Sequence, residues 1–178
     1  MRKALACLLL LGCLMAAATA EAAVYNSALG YSIALPDDSW FLLDEESYAA
    51  SAEALSPLFA SLEIGAHTPA QLAENDMEYF FSLDAPDCAF GVWKRPLMGE
   101  EGVRQTIETL REGLPEGTSF AGGQIAIGET AYEGFQCILD GQLVTGLFAE
   151  GEAATYSVFF RGVDSDSVVR VMTPAVFA

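Results

Sequence analysis

Tyr132-Glu133-Gly134-Phe135-Gln136-Cys137-Ile138-Leu139-Asp140-Gly141-Gln142-Leu143-Val144-Thr145-Gly146-Leu147-Phe148 is the stretch that decides how this chain folds. Two runs rich in β-formers flank Asp140-Gly141, a pair that closes a tight hairpin because both residues tolerate positive φ. Similar runs lie on either side, at 124–127 and at 155–161, the latter reached across Glu150-Gly151-Glu152-Ala153. Links this short join antiparallel neighbours. The last third is therefore an antiparallel meander. A closing helix over 166–172 follows it, with Asp164 or Ser165 as the cap.

Working back from the meander, Val103, Ile107 and Leu110 recur at helical spacing, with Leu114 four further on. They predict a helix over 102–112 with Glu100 and Glu101 at its positive end and Arg111 near its negative end. Two strand-like runs, 77–83 and 88–94, are joined by Asp84-Ala85-Pro86-Asp87 and read as another hairpin. Thr68-Pro69 reads as a cap followed by proline at the first helical position. An Ala-rich stretch over 47–55 suits a helix behind Asp44, Glu45 and Glu46. Before it, Leu29, Tyr31, Ile33 and Leu35 alternate with small residues as in a half-buried strand, and Trp40 opens a second short apolar run. No repeat or linker interrupts the sequence. After the leader described next, residues 21–178 read as one α+β domain, an antiparallel sheet with helices packed on its faces.

Arg2 and Lys3 precede an apolar run over 4–18, and Ala18-Thr19-Ala20 presents small residues where a signal peptidase reads. That is the pattern of a secretory leader, too short to span a membrane, with cleavage expected after Ala20 and Ala22 as the next candidate. Leu10-Leu11-Gly12-Cys13 competes with it as a lipobox-like motif, which makes Cys13 the candidate lipidation site. Either reading places the mature chain outside the cell or on its surface, with no transmembrane span of its own.

The whole chain carries 25 Asp and Glu against 8 Lys and Arg, a formal charge of -17. Arg2 and Lys3 leave with the leader, so residues 21–178 set 25 acidic side chains against 6 basic ones. Nucleic acid and anionic membranes are poor partners for such a surface. An apolar fraction of 52% excludes disorder as the default state. From Glu21 to Trp93 there is no Lys or Arg. The first basic cluster is Lys94-Arg95-Pro96, beside Trp93. Trp93, Lys94 and Arg95 are thus the candidate surface for an anion or partner, against the plainer reading of charges guarding a strand end.

Leu29-Gly30-Tyr31-Ser32-Ile33-Ala34-Leu35-Pro36 followed by Trp40 resembles the opening of PsbP-like exported bacterial proteins. These are relatives in fold of the photosystem II extrinsic subunit and of a Ran-binding protein. The order of elements is similar as well, over most of residues 24–172. The resemblance implies an antiparallel sheet with helices on its faces and brings no catalytic residues with it.

Catalytic motifs are absent from the sequence. His67 is the only histidine, so a hydrolase would have to use it or carboxylates as general base. Its place before Thr68-Pro69 suits an exposed loop residue better. Asp37-Asp38, Asp44-Glu45-Glu46, Glu100-Glu101 and Asp164-Ser165-Asp166 are the candidate calcium ligands, and none has the loop spacing that converges six to eight oxygens. They read as turn and helix-start residues, so no metal or cofactor is expected. Cys88 and Cys137 either pair as a disulfide in the exported chain or stay as buried thiols. The expected function is a non-catalytic binding or accessory module of the cell envelope, acting on an envelope protein or small ligand. A carboxylate- or His67-dependent hydrolase and a calcium-dependent surface protein are the alternatives.

Overall fold

Asp140 and Gly141 adopt φ of 50° and 78°, the left-handed pair that lets two strands reverse over two residues. The computed structural model describes residues 23–49, 68–85 and 87–178. The leader, Cys13 and His67 lie outside the described residues, as does most of the expected helix over 47–55, whose described part is helical from 45 to 49.

The hairpin belongs to a seven-stranded antiparallel sheet. In chain order its strands are β3 (Trp40–Leu42), β4 (Met77–Ser82), β5 (Ala89–Pro96), β6 (Phe120–Ile127), β7 (Thr130–Leu139), β8 (Gln142–Glu150) and β9 (Ala154–Arg161). In space they run β3-β4-β5-β9-β8-β7-β6. The expected meander and both hairpins are present, with every neighbour antiparallel. β6 begins at Phe120 rather than at residue 124, because it pairs with β7 along its whole length.

The first alternating run does not join this sheet. It forms β2 (Tyr31–Ala34), which pairs with β1 (Val24–Asn26) on one side and β10 (Val176–Phe177) on the other. This small sheet covers one face of the large one. Tyr31 and Ile33 pack there against Phe80, Phe90, Val158 and Tyr156, and the closing helix α3 (Ser165–Met172) adds Val168, Val171 and Met172. Asp164 caps α3, its carboxylate accepting from the Ser167 amide at 2.9 Å.

The opposite face carries the other helices. α1 (Pro69–Glu74) starts in a full capping box, with Thr68 and Gln71 each bonding the other's amide, and lays Leu72 on Phe81 and Ala89. α2 (Gly99–Gly113) starts three residues before the expected start at 102. Met98 supplies no side-chain cap, and its amide instead donates to the Thr155 hydroxyl at 2.9 Å. Val103 and Ile107 then face Phe135, Cys137 and Phe148. The result is three layers: small sheet with α3, large sheet, and helices.

Candidate functional site

Trp93, Lys94 and Arg95 are neighbours in sequence but do not share one face, because successive residues of a strand point to opposite faces. Trp93 and Arg95 lie on the helix-bearing face, with the guanidinium 3.5 Å from the indole ring centre. Lys94 points to the other face, where its ammonium donates to the Leu29 carbonyl at 2.8 Å and approaches the Tyr156 ring. It fastens the small sheet. Among the described residues Arg95 Nε is buried without a hydrogen-bond partner, as is the hydroxyl of Ser157, which stands in register with Trp93. Burial holds the Arg95 guanidinium below its ordinary pKa.

Cys88 and Cys137 are both free thiols. Cys137 pairs in register with Val144, Val144 with Arg161, and Arg161 with Ala89, the residue after Cys88. Three strand spacings of about 4.8 Å therefore separate them, well beyond the ~7 Å limit for Cα atoms in a disulfide. The disulfide expected as one alternative is thus not formed. Cys88 Sγ instead donates to the Gly162 carbonyl at 3.0 Å, and burial pushes both thiols up.

The acidic clusters are used locally. Asp37 accepts from the Ser39 amide, Asp44 from the Ser47 amide, and Glu100 pairs with Arg104 one helical turn away. Among the described residues no three His, Cys, Asp or Glu side chains are gathered where they would hold a metal ion.

Two constellations have no counterpart in the sequence reading. The first is a carboxylate gripped by three hydroxyls. Glu78 of β4 accepts from Tyr25 at 2.9 Å, from Ser27 at 2.7 Å and from Tyr31, each of them in or next to the small sheet. Burial and the Glu78 carboxylate both drive the Tyr25 and Tyr31 pKa values far above the usual phenol range.

The second is a groove of about 480 Å³ on the helix-bearing face. Its floor is made of two adjacent rows of the large sheet. One row holds Ala89, Arg161, Val144 and Cys137, and the other holds Tyr79, Phe159 and Phe135. The end of α2 forms a wall with Leu110, Leu114 and Pro115. One end is polar. There the buried Arg161 donates from Nε to the Gln142 side chain at 2.6 Å and lies 3.8 Å from the Asp140 carboxylate. Burial pushes the Tyr79 phenol up to about 12 and also raises the Cys137 thiol. Both stay protonated at neutral pH, which makes them donors rather than nucleophiles.

No protein family and no curated protein sequence matches the chain. Solved structures do. The chain is similar to cyanobacterial PsbP (CyanoP) from Synechocystis sp. PCC 6803, with a TM-score of 0.52, 8% identity, and 92% of this chain and 96% of that one covered. The fold is PsbP-like. A crystal structure from Bacteroides thetaiotaomicron VPI-5482 matches at a TM-score of 0.51 and 11% identity. It covers 89% of this chain, which spans about half (49%) the length of that protein. In this PsbP-like frame the groove lies between the large sheet and α2, and the hydroxyl-bound Glu78 lies between the two sheets. Among the described residues no helix is long and apolar enough to cross a membrane.

Proposed function

We infer that this PsbP-like chain is an exported, non-catalytic binding module. The groove against α2 is its site for a small, mainly apolar ligand. The observation that carries this reading is the composition of the groove. Its volume falls in the range of small-molecule sites, its floor and wall are mainly apolar, and Arg161 with Asp140 and Gln142 makes one end polar. A ligand with an apolar body and a hydrogen-bond acceptor at one tip suits it. The protonated Tyr79 phenol and Cys137 thiol favour holding over turnover. Export rests on the Arg2-Lys3 start, the apolar run and Ala18-Thr19-Ala20.

Fluorescence of the neutral probe N-phenylnaphthylamine tests the binding reading. Saturable enhancement is expected, weakened about tenfold or more by Val144→Phe, which fills the floor, and by Leu114→Gln, which makes the wall polar. Unchanged enhancement in both folded variants would remove the groove from the account. Expression with the native leader tests export. A mature chain beginning at Glu21 outside the cell, or a Cys13-lipidated one on its surface, fits the reading. A full-length cytoplasmic protein contradicts it.

A further inference from the structure

Among the described residues β6 is an edge of the large sheet and is hydrogen-bonded to β7 alone. Over its eight residues, one side of the backbone presents N–H and C=O groups that face no strand among the described residues. Edges of this kind are ordinarily guarded by lysine, proline, a bulge or an inward charge. Phe120-Ala121-Gly122-Gly123-Gln124-Ile125-Ala126-Ile127 contains no charge and no proline, and residues 121–124 are exposed. Its register with β7 is unbroken from Phe120 opposite Cys137 to Ile127 opposite Thr130, so no bulge turns the edge away.

We propose that β6 receives an extended, lysine- or arginine-bearing segment of a partner protein as an added strand of the large sheet. Main-chain hydrogen bonds supply the affinity and side chains the selection. Charge decides the occupant. Arg104 and Arg111 of α2 border the shallow hollow beside β6, but they are already paired with Glu100 and Glu108. Glu112 and Glu116 beyond them, Glu129 in the β6–β7 turn and Glu133 opposite Gln124 form no ion pair among the described residues. A second copy would bring the same carboxylates, on a chain of charge -17, against their own image. A basic strand meets complementary charge instead.

The test uses the intact protein and a labelled peptide alternating lysine and valine. Binding is expected, with slowed amide hydrogen exchange confined to residues 120–127. Affinity should fall about tenfold or more when alternate peptide amides are N-methylated, because the strand then loses its donors. Replacing lysine by glutamate in the peptide should abolish binding. Equal affinity of the N-methylated peptide would reduce the effect to surface charge and overturn the proposal. So would protection elsewhere, or concentration-dependent protection of β6 without peptide, which would make a second copy the occupant.

Discussion

The ring of Phe135 occupies the space that a side chain at Gly146 would need: a Cβ built there would stand 2.3 Å from the ring. The two residues are opposite each other on β7 and β8, and the ring covers the neighbouring backbone instead of standing away from it. That posture shapes the groove floor. Gly146→Ala should force the ring up into the groove and destabilise the protein by about 1–3 kcal/mol, as overpacked cores do. Urea denaturation measures it. An unchanged midpoint would mean that the floor is more yielding than this packing implies.

Alkaline stability should depend on the hydroxyls around Glu78. Tyr25 and Tyr31 have folded pKa values raised above the unfolded value of about 10. Their contribution is fully present below pH ~10 and is lost as pH rises, because the unfolded chain releases phenol protons that the folded chain retains. Tyr79, pushed up to about 12, adds to the same fall. Melting temperature should therefore drop steeply above pH ~10, less steeply in the Tyr25→Phe/Tyr31→Phe double variant. Equal slopes for wild type and variant would sink this explanation.

Lys94 and Arg95 should separate under mutation. Lys94→Met removes a charged donor from the Leu29 carbonyl and should cost about 1–2 kcal/mol. Arg95→Ala uncovers the Trp93 indole and should change its fluorescence while costing less than about 1 kcal/mol. Denaturation followed through tryptophan emission reads both. Equal costs would contradict the assignment of the two side chains to opposite faces.

Cys88 and Cys137 should both alkylate without a reducing agent once the protein is unfolded. Peptide mass spectrometry of the non-reduced protein should show an adduct on each. A Cys88–Cys137 cross-linked peptide pair about two mass units lighter and without adducts would require the sheet register between the two residues to be different.

Local signals carried most of the fold. Asp140-Gly141, the capping residues Thr68 and Asp164 and the Val103-Ile107-Leu110 period each act within a few residues, so they are legible from sequence. β1 and β10 were not, because strands of three and two residues have no period to read and exist only by pairing with β2. The groove was hidden for a related reason. Tyr79, Leu114 and Arg161 come from three distant segments, and only the strand order brings them together. Trp93-Lys94-Arg95 is contiguous in sequence, but strand alternation turns Lys94 to one face of the sheet and Trp93 and Arg95 to the other. Glu78 gave no signal beyond one carboxylate among 25 acidic residues.

The central claim is that the α2 groove, and not another surface, takes the ligand. Chemical-shift mapping of the isotopically labelled protein with N-phenylnaphthylamine tests it most directly. The account predicts saturable shifts gathered at Leu110, Leu114, Cys137, Val144 and the Arg161 side chain. Shifts gathered instead on the opposite face, around Tyr132, Val158 and Val171, or no saturable shifts at all, would contradict it.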